Sequence, residues 1–440
     1  MTERQERTLL LEELLAERIL VLDGATGTAI QAHDLTAADF GGPQLEGCNE
    51  NLVVTRPDVV LDIHRGYLEA GADIIETNTF GGTGIVLAEY GLQDHVYKLN
   101  ETAARLARQA AALASTPNRP RFVAGSIGPT TKSISVVGGI TFDELIRAFH
   151  DQAEGLVAGG ADVLLVETQL DTRNVKAALI GIWRVFDEVG FRLPVMVSGT
   201  IETLGTMLAG QTAEAFAVSM MHADLLSIGL NCATGPEFMT DHIRSIAAIA
   251  RTRVSCIPNA GLPNEDGIYL ETPDSFAATI ERFVDHGWIN IVGGCCGTTA
   301  AHIKRLAQMV EGKRPRTPVE HHRTLFSGID FVEASEDQRP LIVGERTNEV
   351  GSRKFKRLIT EEKYEEAAEI ARQQVKGGAQ ICDVNLQNAD REELYDVDRF
   401  YDRMIRVVKT PIMVDTTDPV AIERALTYCQ GKSIINSINL

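Results

Sequence analysis

Three cysteines carry the strongest chemical signal in this chain of 440 residues. Cys295 and Cys296 stand side by side in INIVGGCCGTTAAHI, flanked by glycines, and Cys232 closes the apolar run LLSIGLNC. Three thiols are a ligand set for Zn²⁺, which takes thiolate sulfur tetrahedrally at about 2.3 Å and deprotonates it on binding. Cys48, Cys256, Cys382 and Cys429 read as small buried apolar side chains, so a fourth position stays open. Activating water there would need a general base and His or carboxylate ligands, and the chain has no H-E-x-x-H. Three thiolates over-neutralise the ion for that purpose, whereas an incoming thiol can bind as a fourth sulfur and stay an electron-rich thiolate at neutral pH. The pattern suits a nucleophilic thiol substrate. The bland alternative is a closed structural site with Cys256 as fourth ligand, but Cys256 falls in the middle of an apolar run rather than at its end.

Something must bring these distant residues together. Short apolar runs alternate with amphipathic helical stretches from residue 18 to about 312. The runs are 19–24, 73–80, 121–128, 162–169, 194–201, 225–232, 253–261 and 289–296. Strand then helix, eight times, is the pattern of a (β/α)8 TIM barrel, in which working residues sit at the C-terminal strand ends around one mouth. Cys232 then ends the sixth strand and Cys295 and Cys296 the eighth. Gly293, Gly294 and Gly297 let the backbone turn so that two consecutive residues, which would face opposite ways on a regular strand, reach one ion. A related motif recurs in AGADIIET (70–77) and GGADVLLVET (159–168), where Gly ends a helix and the strand finishes on a carboxylate and a threonine. A doubly wound sheet would need a glycine-rich phosphate loop after the first strand, and LDGATGTAI has no G-x-G-x-x-G.

Residues 1–312 therefore form the first domain. Residues 313–338, charged and proline-containing, read as a linker. Residues 339–440 resume with strands at 341–347, 380–386, 411–417 and 433–440, about half a barrel, and the expected fold class is an α/β chain with a TIM barrel followed by a truncated second barrel. With 61 acidic against 42 basic side chains the net charge is −19, which repels nucleic acid and anionic membrane surfaces. No stretch nears the ~20 apolar residues that span a bilayer, the N-terminus lacks a signal-peptide core, and seven scattered cysteines make a poor disulfide framework. A cytoplasmic setting is expected.

GLNCATGP and GGCCGT, with LDGATGT and VETQLDTRNVKAAL, resemble the homocysteine-binding domain of zinc-dependent homocysteine methyltransferases through the whole first barrel. The resemblance implies that Cys232, Cys295 and Cys296 bind zinc and that the homocysteine thiol takes the fourth position. Asp23 and Glu167 would hold the ammonium, backbone around Gly24 and Thr168 the carboxylate, and Asn231 would order the site. Either carboxylate could instead cap the helix that follows it. VGERTNEVGSRKFKRLI, GGAQICDVN and GKSIINSI resemble the opening half of the pterin-binding barrel of cobalamin-dependent methionine synthases, despite VDTT where a VDSS-type segment is expected. By that resemblance Glu345, Asn348, Asp383, Asn385, Asp415 and Asn436 ring a pterin pocket. Asp and Asn suit the alternating donors and acceptors of a pterin edge. The implied reaction is methyl transfer to zinc-bound homocysteine from methylcobalamin held on a separate module, absent from this chain, with 5-methyltetrahydrofolate as the ultimate donor and methionine as product. Three alternatives remain: another methyl donor, a fusion to methylenetetrahydrofolate reductase, or a non-catalytic barrel with structural zinc. The segment DIHRGY (62–67) reads as part of an amphipathic helix, with His64 a helix-face residue rather than a cobalt ligand.

Overall fold

The computed structural model describes residues 3–320 and 323–438. The chain divides into two compact units, residues 1–208 with 224–319, and residues 209–223 with 320–440. In the first unit β1 (Leu20–Val21), β2 (Ile74–Glu76), β3 (Phe122–Ile127), β4 (Val163–Gln169), β5 (Val195–Gly199), β6 (Ser227–Asn231), β7 (Arg253–Ile257) and β8 (Ile291–Val292) form one parallel sheet. β1 pairs with β8, and a Leu22–Ile74 bridge with the Asp73 N–H donating to Val21 O at 2.7 Å joins β1 to β2, so the sheet closes on itself. The expected TIM barrel is present, each strand lying inside an apolar run of the sequence.

Helices cover the outside of this sheet, which is why the strands read as unbroken apolar runs. Inside, Leu20, Leu22, Ile74, Phe122, Val163, Leu165, Met196 and Ile291 pack in one cluster with Leu11 and Leu15 of helix Glu3–Glu17, and Cys295 packs against the same cluster. Cys295 thus stands on a filled, apolar barrel interior. Gly71 (φ 112°) and Gly160 (φ 97°) are the left-handed C-caps of helices Pro57–Ala70 and Phe142–Gly159, as the recurring motif requires. His64 is buried on helix Pro57–Ala70 with no hydrogen-bond partner on either ring nitrogen, and burial pushes its imidazole down to about 4, so it is neutral.

In the second unit β9 (Leu325–Ser327) and β10 (Phe331–Glu333) form an antiparallel hairpin within the stretch read as a linker. Strands of three residues are too short to show alternation. The turn packs tightly: a Cβ on Gly328 would lie 2.5 Å from Lys409 O. β11 (Val343–Asn348), β12 (Ile381–Asn385), β13 (Ile412–Asp415) and β14 (Ile434–Asn436) then form a parallel sheet in sequence order. Phe355, Ile359, Tyr364, Phe400, Tyr401 and Met404, on the intervening helices, pack on Cys382, Val384 and Val414. Asn439 and Leu440, at the end of the last expected strand, lie outside the described residues. Among the described residues no helix is long and apolar enough to cross a membrane.

Candidate functional site

The ladder of β6 stops at Asn231, and the next two residues take left-handed backbone, Cys232 at φ 61° and Ala233 at φ 54°. Such angles are uncommon without glycine and mark a held, strained turn. Hydrogen bonds hold this one, from Cys232 N–H to Ile257 O at 3.2 Å and from Thr234 N–H to Cys232 O at 2.7 Å. β8 is shorter than its apolar run and ends at Val292. Beyond it Gly293 N–H donates to Cys256 O, Gly294 N–H to Asp23 O and Cys295 N–H to Pro258 O, so the segment is stitched alternately to its two neighbours. Only Gly297 of the three glycines has positive φ, at 78°. Gly293 and Gly294 serve instead by close approach: a Cβ on Gly294 would meet Thr298 Oγ1 at 2.4 Å.

The outcome is convergence. The Sγ atoms of Cys232, Cys295 and Cys296 lie within 4.8 Å of one another, with Cys232 and Cys296 at 3.9 Å. A tetrahedral ion with 2.3 Å bonds to sulfur separates its ligands by about 3.8 Å, so the thiols are spaced to hold one. Cys256 stands buried in β7, outside this group. That leaves the four-cysteine alternative without its last ligand. Hydrogen bonds from the Cys232 thiol, then from that of Cys295, pull Cys296 down to about 3, while Cys295 is held up by its bonds to Cys232 and Cys296. Cys232, eased by its bond to Cys295 but raised by its bond to Cys296 and by burial, stands at about 11, so Cys296 is the sulfur of the three that carries thiolate charge.

Beside the sulfurs lie buried carboxylates. Asp23 follows β1; its Oδ2 accepts the Glu76 N–H at 3.0 Å, and its Oδ1 is buried with no partner. Glu167 in β4 accepts Ser126 Oγ at 2.5 Å on Oε1 and Asn231 Nδ2 at 3.2 Å on Oε2. Burial pushes Glu167 up to about 7, and burial with repulsion from Glu167 pushes Asp23 well above the carboxylate range. Neither caps a helix. The helix after β1 starts from Ala25, and the one after β4 is capped by Asp171, whose side chain accepts the Arg173 N–H.

Asn231 ties the two groups together. Its Oδ1 accepts from Thr168 N–H (2.8 Å) and Ser198 Oγ (2.7 Å), and its Nδ2 donates to Thr168 Oγ1 (2.7 Å) and comes within 4.0 Å of Cys295 Sγ. Thr168, at φ 54°, therefore has its N–H committed to Asn231, which leaves the backbone around Gly24 as the donor region. At Gly24 a Cβ would lie 2.8 Å from Tyr67 Cε1 and 3.0 Å from Thr298 Oγ1, so no side chain fits.

Two neighbours of this site were not singled out from the sequence. Glu76 ends β2, and burial with repulsion from Glu167 and Asp23 pushes it well up. Its signal was in the text, because the repeat that places Glu167 at the end of GGADVLLVET places Glu76 at the end of AGADIIET. Tyr269, whose ring packs against Gly297 next to Cys296, comes from the long loop after β7 and has no local signature.

In the second unit four of the six candidates meet. Asn348 Nδ2 donates to Asp383 Oδ2 and Asp415 Oδ2, both at 3.3 Å, and Asn385 Nδ2 donates to Asp415 Oδ2 at 3.2 Å. Asp383 is buried and, mainly for that reason, pushed up to about 6. Glu345 and Asn436 are exposed and stand outside this network. Glu349, one residue beyond β11, is buried, takes a 2.6 Å bond from Asn388 Nδ2 and keeps Oε1 without a partner; adjacent to the GERTN motif, it was not singled out.

A closed parallel barrel with three thiols gathered at the C-terminal ends of β6 and β8 defines a barrel of thiolate-centred type. A family model described as homocysteine S-methyltransferase matches residues 20–310, and one described as pterin binding enzyme matches residues 344–440. The chain belongs to the homocysteine S-methyltransferase family, and its two matched regions follow one another as in the N-terminal region of methionine synthase. A pterin-binding match in the second region lends nothing to the reductase-fusion alternative. Among solved structures, the metallated form of the Escherichia coli homocysteine methyltransferase MmuM is 23% identical with a TM-score of 0.55, over 68% of this chain and 98% of that one. The oxidized form of the same protein gives 22%, 0.53, 70% and 99%. At that identity the likeness is one of fold.

Proposed function

We propose that the first barrel binds homocysteine and zinc and methylates the homocysteine sulfur, with a methyl group that originates on 5-methyltetrahydrofolate and arrives on methylcobalamin carried by a separate module. The observation that carries this reading is the juxtaposition of three converging thiols with Asp23, whose buried Oδ1 lacks a partner. Cys232, Cys295 and Cys296 hold the ion. Zinc bound there supplies a fourth position at which a substrate thiol ionises at neutral pH. Asp23 Oδ1 takes the ammonium of the amino acid, with Glu167 beside it, and backbone around Gly24 takes its carboxylate. Asn231 keeps both ends in register, because one side chain touches Glu167 and approaches Cys295. The filled barrel interior beneath keeps water from the sulfur's inner side.

The second unit binds the pterin of the folate donor through Asn348, Asp383, Asn385 and Asp415, whose donors and acceptors alternate as a pterin edge demands. No disulfide joins any of the seven cysteines, all of them among the described residues, which fits a cytoplasmic setting. Calorimetric titration with homocysteine of zinc-loaded and zinc-stripped protein tests the proposal. Uptake of about one equivalent only with zinc is expected; equal uptake in both forms, or none in either, refutes it.

A further inference from the structure

The first barrel closes through its two shortest strands. β1 and β8 share two residue pairs, Leu20 with Ile291 and Val21 with Val292, and the Leu22 N–H adds one bond to Val292 O at 2.7 Å. Beyond them the ladder ends, yet segment 23–28, which carries Asp23 and Gly24, and segment 293–299, which carries Cys295 and Cys296, stand side by side. Single hydrogen bonds lace them. Gly294 N–H donates to Asp23 O at 3.1 Å, Ala25 N–H to Thr298 Oγ1 at 3.2 Å, and Gly297 N–H to Thr28 Oγ1 at 3.0 Å. The Thr298 hydroxyl in turn donates to Cys295 O at 2.7 Å, so one oxygen accepts from the segment of Asp23 and donates to a cysteine of the cluster. Thr298 is fully buried and fits only between glycines: a Cβ on Gly24 would lie 3.0 Å from its Oγ1, and one on Gly294 2.6 Å from its Cγ2. The Tyr67 hydroxyl donates to Ala25 O at 3.0 Å, so Ala25 is held by its carbonyl as well as by its N–H.

We propose that Thr298 is a positioning residue that fixes the span between the sulfur end of the site and its amino-acid end, and so makes the site selective for the number of carbons between a thiol and an amino-acid group. This rests on the homocysteine and zinc reading above. A substrate held by its sulfur at one segment and by its ammonium and carboxylate at the other gains from its second end only where the two stand at its own reach. Segments free to drift would have to be ordered by the substrate itself, at a cost in affinity. A thiol with no amino-acid end is indifferent to that span. Asn231 ties β6 to β4 by its own side chain; Thr298 does the same across β8 and β1, where the strands are too short to do it by backbone pairing.

Calorimetric titration of the zinc-loaded full chain with three thiols tests this: homocysteine, cysteine, which is one methylene shorter, and propanethiol, which has no amino-acid end. In Thr298→Val, which keeps the shape and loses the hydroxyl, the dissociation constant for homocysteine should rise at least about fivefold, the worth of one neutral hydrogen bond. Zinc content after dialysis and the affinities for cysteine and propanethiol should stay at their wild-type values, so the preference for homocysteine over cysteine narrows by the same factor. Thr298→Ser should bind homocysteine as wild type does. Thr28→Val, at a half-buried position, should show the same selective loss and decides the matter if Thr298→Val does not fold. Unchanged homocysteine affinity in the valine variant, a serine variant as weak as the valine one, or a loss shared equally by propanethiol overturns the assignment while leaving the zinc reading standing. A wild-type chain whose uptake of homocysteine does not depend on zinc overturns that reading, and this inference with it.

Discussion

Asn231→Asp is the sharpest perturbation the site offers, because it changes a donor into an acceptor and little else. Wild-type Nδ2 donates to Glu167 Oε2 at 3.2 Å while Oδ1 serves Thr168 and Ser198. The introduced carboxyl keeps the shape and the Oδ1 acceptor but faces Glu167 with a second oxygen. Glu167 itself holds its proton up to about pH 7, and two full charges 3.2 Å apart would repel by about 5 kcal/mol at an effective dielectric of about 20, close to 4 pK units, so the pair does not ionise twice near neutrality. The folded pair therefore keeps one proton more than Glu167 alone past about pH 7, whereas the introduced carboxyl ionises near 4 when unfolded. A folded pKa above the unfolded one means that stability present at low pH is lost as pH rises. Between about pH 5.5 and about pH 7.5 the penalty relative to wild type should grow by up to about 2.7 kcal/mol, at 1.36 kcal/mol per unit. Both tryptophans, Trp183 and Trp288, belong to the first unit, so fluorescence-detected urea unfolding reports the barrel alone. A wild-type-to-variant difference in stability that is the same at both pH values refutes the reasoning.

Cys295→Ala should leave the barrel folded and reduce zinc retention at least about 100-fold, since even partners of metal ligands are worth 10- to 100-fold; metal analysis after dialysis checks it, and stoichiometric zinc would contradict the assignment. Glu167→Gln should flatten the pH dependence of metal-free stability. Burial raises Glu167 from 4.5 to about 7, so its contribution is full below about 4.5 and lost as pH rises through about 7. Urea midpoints at pH 5 and 8 should therefore differ less in Glu167→Gln than in wild type; an undiminished difference would show that Glu167 ionises normally.

The barrel was legible because its strands are covered on both sides and so read as apolar runs, each bounded by a helix with a glycine or polar cap. What lay in strand ends was legible too, since the C-terminal rim is a position that strand assignment delivers directly; Asp23, Glu167, Asn231 and the three cysteines meet for that reason. Side chains delivered by loops were not. Tyr269 reaches Gly297, next to Cys296, through a hairpin in which Asn264 Oδ1 accepts the Asp266 and Ile268 N–H groups, and nothing in the spacing of residues 258–272 says which way that hairpin folds. The β9–β10 hairpin was missed because three-residue strands carry no period. In the second sheet the resemblance puts Glu345 and Asn436 at the pocket with the other four; both are exposed and outside the hydrogen-bond network of Asn348 and Asp415, Glu345 within the register shift of β11 between Gly344 and Thr347 and Asn436 on β14, the end strand of the sheet order.

The ligands at the rim come from points 64 residues apart in the chain, the ends of β6 and β8, with β7 between them. An ion held by Cys232 and Cys296 is therefore also a cross-link that closes a long loop containing β7, its hairpin and helices Pro236–Ile249 and Pro273–Asp285. In the entropic account used for disulfides, closing a loop of about that length disfavours the unfolded chain by ~4 kcal/mol. On the proposed zinc reading, the ion is also a staple of the barrel's last strands, and stripping it would release the clasp on the seventh strand.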